Sequence, residues 1–600
     1  MGDMPPTRKV IFIVFFAVAI VGASVFLWQK YAVEKNQAAT RQPATPLTVA
    51  PITTSTPTST IAATNIFSPT STITTTTPAP KISPQISVTT PAPSPRGATY
   101  YIRTDGGDAA QCTGLADAAY SGSGSNQSCA WKHPFIAFPP GGIAKIKGGD
   151  TLIINNGSYK MGYGAPGASF CDSDGSYDCV MAKIPSGLSA SQPTRVLGAN
   201  WDSGCSSKPE LYGSGRPWTI LELTGNSNVE LQCMEITDHS SCVEFHSGGL
   251  ACNRDSAPYG DWAPTGIRAA DSKNVKIKNL DIHGLAHTGI FAGRLTDWTL
   301  ENTKITANGW VGWDGDIQGN DSNAGTMTFK KVNIDWNGCA ETYPGKQPTG
   351  CWGQEAGGYG DGLGTGETAG NWVFEDSTFL HNTSDGLDLL YHRLGGKIII
   401  RRVRAEGNAG NQIKTAGEAE ITDSVIISNC GYFSGKSFTH NVDHCRALGS
   451  AVLLDLGNSD LATLYNNSIY SEGDCLVNAD RGGSGKVKAV NNIFYAGTYW
   501  LQPFEKSCLF YTDSGAPFDN DYNLSYQAKD DSGYCSQGAH NKCNVEPKLI
   551  SVNAANFNFM PLADSPAIDA GTAAISNVDF LGSGRPRGKG VDIGAYEASY

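Results

Sequence analysis

The chain has 600 residues and a formal net charge of −12 at pH 7. This acidic balance excludes a general nucleic-acid-binding protein, because phosphate recognition needs a predominantly basic surface. Beyond the first hundred residues the chain is rich in Gly, Asn, Asp, Ser and Thr and has no long amphipathic helical pattern. The composition therefore predicts an all-β protein of many short strands joined by turns.

The N-terminal segment has the features of a membrane anchor. Residues 10–28 form an uninterrupted run of apolar and small residues behind a short basic segment, 1–9. This length suits a transmembrane helix, and the positive charge predicts that 1–9 stay in the cytoplasm. We therefore expect a single-pass signal anchor with the C-terminal domain extracytoplasmic. A signal peptide cleaved near Val21–Gly22–Ala23 is the alternative and would give a secreted protein.

A stalk and a cysteine-rich region follow this anchor. Residues 36–97 are mostly Thr, Pro, Ser and Ala, which cannot bury enough surface to fold and predict a disordered linker. All sixteen cysteines lie beyond it as near neighbours without a C-x-x-C motif. This favours structural disulfides in an oxidising compartment over thiolate metal sites. The cysteines expected in disulfides are Cys112, Cys129, Cys171, Cys179, Cys242, Cys252, Cys339, Cys351, Cys430, Cys445, Cys535 and Cys543, while Cys205, Cys233, Cys475 and Cys508 form two further neighbouring pairs.

One strand pattern recurs along the rest of the chain. An alternation of apolar and polar residues ends in a Gly or Asn turn, and its copies at 275–282, 298–305, 327–334, 372–379, 398–405 and 419–426 indicate a period in the low twenties with occasional insertions. A repeat of this size holds three short strands, and stacked repeats bury a continuous apolar column. We predict a parallel β-helix over 217–520, an N-terminal cap with the first rungs over 98–216, and C-terminal rungs with a capping tail over 521–600.

This period and strand pattern resemble the right-handed parallel β-helices of pectate lyases, polygalacturonases and related bacterial surface proteins. The resemblance covers roughly residues 98–600 and implies a single-stranded right-handed solenoid. The tail at 565–571 and 592–597 is similar to the closing segment of many exported bacterial β-helix proteins. From this similarity we expect the tail to cover the open end of the solenoid.

Three consecutive turns contain the candidate chemistry. Asp361 precedes Asp385 by 24 residues, and Asp388 precedes Lys414 by 26 residues. Residues one period apart lie on neighbouring rungs, so we expect three carboxylates and one amine on the same face. Three hard oxygen donors are ligands that Ca²⁺ accepts. A nearby Lys would have its pKa lowered by the cation and by burial, which prepares it to act as a base.

These turns resemble the calcium-dependent pectate lyases of polysaccharide lyase family nine. Members of that family have an Asp in one turn, D-D-G-x-D in the next and a Lys in an N-G-N-G-F-K-like turn. The resemblance implies that Asp361, Asp385 and Asp388 bind calcium and that Lys414 is the base in β-elimination of a uronate-containing polysaccharide. Ser384 departs from the pattern, since the family has Asp at that place.

Basic residues between the last two turns are the candidates for substrate binding. Arg393, Lys397 and Arg402 belong to a locally basic segment that would attract a polyanionic sugar. We therefore expect these three residues to contact an acidic polysaccharide.

Other functions stay open on the sequence. A polygalacturonase-like hydrolase would use carboxylates such as Asp314 and Asp316 together with Asp385 and Asp388, although that family's Gly-His-Gly turn and paired Asp-Asp are missing. A non-catalytic adhesin that binds surface glycans is the other alternative. His239, His246, His283 and His287 follow no standard zinc spacing. Trp310, Trp313, Trp336 and Trp352 suit either packing or sugar stacking.

Overall fold

The computed structural model describes residues 97–598 except 172–178, 245–251, 253, 255, 318–321, 354–359, 482–483, 514 and 574. The expected cytoplasmic tail and membrane anchor, and nearly all of the expected stalk, lie outside the described residues. Within the described part of the chain, no helix is long and apolar enough to cross a membrane.

Short strands make up nearly all of the regular structure. In chain order, the strands of the first half are β1 (Thr99–Gly107), β2 (Thr151–Ile154), β3 (Ser158–Gly162), β4 (Thr194–Gly198), β5 (Glu210–Ser214), β6 (Leu221–Glu222), β7 (Ser227–Gln232), β8 (Glu235–Asp238), β9 (Thr265–Ala270), β10 (Lys273–Lys278), β11 (Asp281–His283), β12 (Thr288–Gly293), β13 (Thr296–Glu301), β14 (Lys304–Thr306), β15 (Val311–Asp314), β16 (Ala324–Lys330), β17 (Asn333–Asp335), β18 (Cys339–Thr342), β19 (Gln347–Trp352) and β20 (Leu363–Gly364).

The second half continues the same pattern. Its strands are β21 (Asn371–Glu375), β22 (Thr378–Leu380), β23 (Leu387–Leu389), β24 (Lys397–Arg401), β25 (Arg404–Glu406), β26 (Ile413–Ala416), β27 (Glu418–Thr422), β28 (Val425–Ser428), β29 (Thr439–His440), β30 (Val452–Leu456), β31 (Leu461–Tyr465), β32 (Ser468–Ser471), β33 (Cys475–Arg481), β34 (Lys486–Val490), β35 (Ile493–Ala496), β36 (Cys508–Tyr511), β37 (Phe518–Asp521), β38 (Leu524–Tyr526), β39 (Leu549–Ser551) and β40 (Asn558–Pro561). The described helices are single turns: α1 (Pro134–Ala137), α2 (Asp531–Tyr534) and the 3₁₀ turns Arg446–Leu448 and Cys535–Gln537.

Three long parallel sheets organise these strands. Sheet 1 has the order β1-β2-β4-β7-β10-β13-β16-β21-β24-β27-β31-β34-β37, sheet 2 the order β3-β5-β8-β11-β14-β17-β22-β25-β28-β32-β35-β38, and sheet 3 the order β6-β9-β12-β15-β20-β23-β26-β30-β33-β36. Because each turn of the chain contributes one strand to each sheet, the fold is a parallel β-helix, which confirms the predicted fold class. The right-handed sense of the solenoid stays a prediction.

The register follows the repeat that the sequence predicts. In sheet 1, Lys276 pairs with Thr299, and Thr299 pairs with Thr328. Insertions between rungs leave the sheets and form hairpins such as β18–β19, which pairs antiparallel. The strand pattern therefore fixes which residues are stacked neighbours, and the insertions lengthen the chain without breaking the stack.

The core is one apolar column inside the solenoid. Alternate residues of sheet 1 point into it, and Phe329, Trp372 and Phe374 stack there with ring centroids 4.8–6.2 Å apart. Each of these three side chains is at most 1% exposed. Their burial on successive rungs supplies the hydrophobic stabilisation that a single rung cannot supply alone.

A ladder of buried amides supports the turns between sheets 2 and 3. Asn308, Asn337, Asn382 and Asn408 occupy the same position on four successive rungs and are fully buried. Each side-chain amide donates to the side-chain oxygen of the next, over 2.8–3.0 Å. Asn408 continues the chain of bonds to Gln412 Oε1 at 2.8 Å. This ladder fixes the turns from which sheet 3 begins.

The C-terminal tail packs on the side of the solenoid, whereas the sequence analysis placed it over the open end. Its Phe557, Phe559 and Tyr596 pack with Val425 and Ile427 on the outer face of sheet 2. That outer face is apolar on these rungs, and β28 is buried on both sides. The tail lies there because an exposed apolar sheet face would be costly. At the end of the solenoid, Cys535 and the partly buried Tyr534 join the main core instead.

All sixteen cysteines form disulfides between near neighbours, which confirms the expectation for the twelve named above. The pairs are Cys112–Cys129, Cys171–Cys179, Cys205–Cys233, Cys242–Cys252, Cys339–Cys351, Cys430–Cys445, Cys475–Cys508 and Cys535–Cys543. Each bridge closes a local loop, so the disulfides fix insertions and caps rather than linking distant rungs.

Candidate active site

The three turns singled out in the sequence lie at the start of neighbouring sheet 3 strands. The register pairs Gly364 of β20 with Asp388 of β23, and Asp388 with Lys414 of β26. Asp361 and Asp385 lie in the turns just before β20 and β23, where the backbone nitrogen of Asp385 donates to Asp361 Oδ1 at 3.0 Å. The spacing of 24 and 26 residues in the sequence thus brings the four side chains together.

Lys414 is held between two of these carboxylates. Its Nζ donates to Asp385 Oδ2 at 2.8 Å and to Asp388 Oδ2 at 2.7 Å. The other oxygen of Asp385 accepts from the backbone and side-chain nitrogens of Asn411, at 2.6 and 3.1 Å. The Asp388 Oδ1 accepts from the backbone nitrogen of Leu390 at 2.9 Å. These bonds fix the orientation of both carboxylates and of the amine.

The Asp361, Asp385 and Asp388 carboxylates form a compact group. One oxygen from each lies within 4.8 Å of the others. Burial and the two neighbouring carboxylates raise the pKa of Asp361 well above its ordinary value. Burial also raises the pKa of Asp388, against the opposing effect of Lys414. The three carboxyl groups outnumber the single amine, and a bound cation would stabilise their ionised forms.

The pKa of Lys414 differs from the sequence expectation. Burial lowers it, but the carboxylates of Asp385, Asp388 and Asp361 outweigh burial and raise the pKa above its ordinary value. Without an added cation, Lys414 is therefore the counter-ion of the group and stays protonated. The expectation of a lowered pKa requires that a cation oppose those carboxylates.

Ser384 lies inside the group at the position where family nine has Asp. It is fully buried and makes a side-chain hydrogen bond to Asp361. A hydroxyl there adds no negative charge. The departure therefore reduces the formal negative charge of the group by one, and the hydroxyl still supports the Asp361 carboxyl group with a hydrogen bond.

The group opens into a cleft of about 880 Å³ along sheet 3. Lys414 and the three carboxylates line one part of it, and Asp314 and Asp316 line another. Asp314 pairs with Gly364, which pairs with Asp388, so the Asp314 and Asp388 positions are two rungs apart, or roughly 10 Å. Gly364 has no side chain between them, which leaves the floor of the cleft open.

Sequence reasoning missed two cations of this cleft. Arg216 lines one end and its Nε lies 3.2 Å from Glu244 Oε1. Arg446 also lines the cleft, from the 3₁₀ turn Arg446–Leu448. No sequence signal marked Arg446, because the chain leaves the solenoid in a long insertion after β28 and the repeat gives no register there.

The structure places the three expected substrate-binding residues away from this cleft, which corrects the sequence interpretation. Arg393 forms an ion pair with Asp455 in a turn between sheets 3 and 1. Lys397 extends from β24 in sheet 1 to Glu420, at 3.0 Å. Arg402 has a φ of 52° in the next turn and bonds Asp376 at 2.6 Å. The chain makes a full turn of the solenoid between Asp388 and Lys414, so residues between them face other directions.

The histidines have separate surroundings. His287 lines the cleft, whereas His283 is 1% exposed between Glu235 and Glu341. His239 stacks between Tyr212 and Tyr343, with both centroid distances 3.8 Å. His246 lies outside the described residues.

The tryptophans divide between cleft and core. Trp310 lines the cleft, next to His287, at a ring-centroid distance of 3.7 Å. Trp313 and Trp352 are buried, and Trp336 packs against His381. Of the four tryptophans considered for sugar stacking, Trp310 is the one that faces the cleft.

Comparison with protein-family models and with curated proteins gives no match. Several solved structures are similar to this chain. Pectate lyase Pel9A is 14% identical over 84% of this chain and 96% of that chain, with a TM-score of 0.40. An alginate lyase from Paenibacillus sp. str. FPU-7 is 14% identical over 62% and 92%, with a TM-score of 0.30, and a rhamnogalacturonan lyase is 14% identical over 81% and 99%, with a TM-score of 0.32.

Proposed function

We propose that this protein cleaves a uronate-containing polysaccharide by calcium-assisted β-elimination. The observation that carries the proposal is the arrangement of Asp361, Asp385 and Asp388 within 4.8 Å of one another, with the Lys414 amine bonded to two of them inside a cleft. A buried amine beside an uncompensated group of carboxylates is suited to a reaction that needs both a cation and a base.

The donor set fits calcium. All three groups offer hard carboxylate oxygens, and calcium prefers such oxygens with additional carbonyl and water ligands. Burial and the neighbouring carboxylates raise the pKa of Asp361, and burial raises that of Asp388, so a divalent cation would stabilise the ionised forms that the site disfavours without it. When bound, calcium supplies positive charge that neutralises the substrate carboxylate, makes the neighbouring C–H more acidic and opposes the carboxylates that keep Lys414 protonated.

Lys414 is the base in this mechanism. Asp385 and Asp388 hold its amine in place, and the neutral amine takes the proton from the carbon next to the uronate carboxylate. The electron pair of that C–H bond forms a C=C bond. The glycosidic C–O bond breaks, and its electrons go to the leaving oxygen, which takes a proton from solvent. No water is added to the sugar, so one product is unsaturated.

The disulfides support a location outside the cytoplasm. Eight bridges hold loops and caps of the solenoid, and such bonds persist in oxidising compartments. We propose that the β-helix meets its polysaccharide at the cell surface or in the extracellular medium. Labelling of intact cells with an impermeant reagent would locate the domain, and protection from the reagent would contradict this.

The decisive experiment measures unsaturated products by their ultraviolet absorbance. The full chain is incubated with polygalacturonate, polymannuronate and polyguluronate, each with calcium and with chelator. We expect a calcium-dependent signal that Lys414→Ala lowers by about 10²- to 10⁴-fold. Lys276→Ala is the matched control, because Lys276 is exposed on the outer face of sheet 1.

Other outcomes would support the alternatives. New reducing ends without unsaturation would favour a hydrolase that uses Asp314 or Asp316 with the central carboxylates. Binding of polyuronate without cleavage would favour a glycan-binding adhesin. Either result, with a folded protein, would contradict elimination.

A further inference from the structure

Arg446 is a cation of the cleft without an acidic partner among the described residues. It lines the same cleft as Asp388 and Lys414 and is partly exposed there. The other two cations differ, since Arg216 pairs with Glu244 and Lys414 pairs with Asp385 and Asp388. In the described part of the chain, the Arg446 guanidinium makes no ion pair and no side-chain hydrogen bond. Arg446 therefore brings to the cleft a guanidinium whose donors no described acidic residue occupies.

The backbone around Arg446 is held in an unusual conformation. Cys445, Ala447 and Leu448 have φ values of 56°, 48° and 81°, in the left-handed region that side chains other than Gly rarely adopt. Each such residue costs free energy and persists where its surroundings enforce it. Gly449 follows with φ 60°, and a Cβ there would meet the Cys445 Cα at 2.7 Å. This turn is therefore tightly constrained.

Several bonds tie this turn to the one that precedes Lys414. The backbone nitrogen of Arg446 donates to the carbonyl of Ala409 at 3.0 Å, and that of Ser450 donates to Asn411 Oδ1 at 2.8 Å. Asn411 also bonds the Asp385 carboxylate. The Cys430–Cys445 disulfide fixes the start of the turn. Arg446 is thus positioned relative to the candidate base by the same turn that orients Asp385.

We propose that Arg446 forms a second anion-binding subsite, which holds a carboxylate of a sugar other than the one that reacts at Lys414. The inference rests on the proposed function and adds a specificity-determining residue to it. A guanidinium binds a carboxylate through two parallel hydrogen bonds, which gives direction as well as affinity. Asp314 and Asp316 also line the cleft and would repel a carboxylate, so Arg446 is the lining residue that favours an additional one. This subsite would therefore strengthen most the binding of a substrate with consecutive uronates.

The test compares Arg446→Gln with Arg446→Lys in the full chain. We expect Arg446→Gln to lower kcat/KM on polygalacturonate by about 10- to 100-fold, mainly through KM, because a charge-assisted hydrogen bond is lost. Arg446→Lys keeps the charge but not the paired donors, so its kcat/KM should fall less. Arg587→Gln is the matched control, since Arg587 is exposed on the C-terminal tail. On a polymer in which galacturonate alternates with neutral rhamnose, Arg446→Gln should lower kcat/KM by less than about threefold.

A binding measurement separates this inference from the elimination chemistry. Calorimetric titration with trigalacturonate and calcium compares Lys414→Ala with the Lys414→Ala, Arg446→Gln double variant. We expect binding at least about tenfold weaker in the double variant. If the wild-type chain cleaves nothing, the proposed function fails and this titration still decides the role of Arg446. Equal binding by the two proteins, no binding by either, or equal losses on both polymers would overturn the subsite.

Discussion

Lys414 and His283 are both buried cations held by two carboxylates, yet their surroundings give them different roles. Lys414 lies in an open cleft beside a third carboxyl group, so the acidic groups around it outnumber its single positive charge. His283 lies under the β18–β19 hairpin, where Glu235 and Glu341 bond its two ring nitrogens. The first arrangement can accept a ligand. The second is enclosed and stabilises the docking of the hairpin.

His283 gives a prediction about stability and pH. Burial lowers its pKa, but the hydrogen bonds that the ring donates to the carboxylates of Glu235 and Glu341 outweigh burial and raise the pKa to about 9. Because the folded pKa exceeds the ordinary value of about 6.5, the stabilisation is complete below about pH 6.5 and is lost as pH rises through 9. His283→Gln should therefore cost on the order of 3 kcal/mol at pH 6 and much less at pH 10.

Denaturant unfolding across this pH range checks the effect. His540→Gln is the control, because His540 is an exposed histidine paired with Asp521. A loss that is the same at pH 6 and pH 10 would contradict the ionised state of His283.

The residues of the site could be predicted only where the repeat fixes the register. Asp388 and Lys414 are one period apart, so their contact follows from the sequence spacing. After Lys414 the next sheet 3 pairing is with Leu453, 39 residues later, because an insertion intervenes. Arg446 lies in that insertion, and only the three-dimensional path of the turn brings it to the cleft. Arg402 shows the converse, since it is near Lys414 in the sequence but faces another side of the solenoid.

Among the structural elements, the asparagine ladder connects stability with the site. Asn382 accepts from the backbone and side-chain nitrogens of Asn337, at 2.9 and 3.0 Å, and donates to Asn408 Oδ1 and to the carbonyl of Ile334. Asn382→Ala would leave these buried groups without partners, which costs about 2–4 kcal/mol. Since Asp385 follows three residues later, activity should fall as well.

Chemical denaturation and the elimination assay test the ladder together. Asn553→Ala is a suitable control, because Asn553 is exposed near the C-terminal tail. If Asn382→Ala unfolds at the wild-type denaturant concentration, the ladder does not support the turn as described.

The C-terminal tail is the second element with a measurable role. Arg585 is buried in the tail, where its Nη2 lies 3.3 Å from Asp423 Oδ1 and its Nη1 lies 2.9 Å from Glu597 Oε1. Arg585→Leu would leave both acids buried without their cation and should cost about 3–5 kcal/mol. Limited proteolysis should then cut the tail before the solenoid. Arg587→Gln should leave the cleavage pattern unchanged, and an intact tail in Arg585→Leu would contradict the assignment.

The sequence contains a signal for the position of the tail on the side of the solenoid, because one strand departs from the apolar–polar alternation. Strand β28 reads Val425–Ile426–Ile427, a continuous apolar run, where β25 reads Arg404–Ala405–Glu406. In a solenoid one face of each strand meets the core, so an apolar residue on both faces indicates an outer cover. The segment that covers this face is distant in the sequence, and only the structure shows which segment it is.

At the scale of the whole molecule, the repeat made the fold predictable, and the negative charge of the chain supports the proposed cation. Period-two alternation with turns specifies which side chains stack, and the strands that follow the insertions return to the same three sheets. The chain as a whole has a net charge of −12, and several of its carboxylates line the cleft. A polyuronate would be repelled by this surface unless cations reduce the negative charge where it binds.

The proposed calcium site also predicts that calcium stabilises the folded molecule. A ligand that binds only the folded state at 100 times its Kd adds about 2.7 kcal/mol to the free energy of unfolding. We expect the melting temperature of the full chain to rise with calcium and to rise less in Asp361→Asn, which removes one donor. Without calcium, the same variant should be at least as stable as wild type, because the amide replaces a carboxyl group whose ionised form burial and the neighbouring carboxylates disfavour. Asp519→Asn, on the exposed face of β37, is the control and should respond to calcium like wild type. A calcium-induced rise of the same size in Asp361→Asn and in wild type would place the bound ion elsewhere on the molecule.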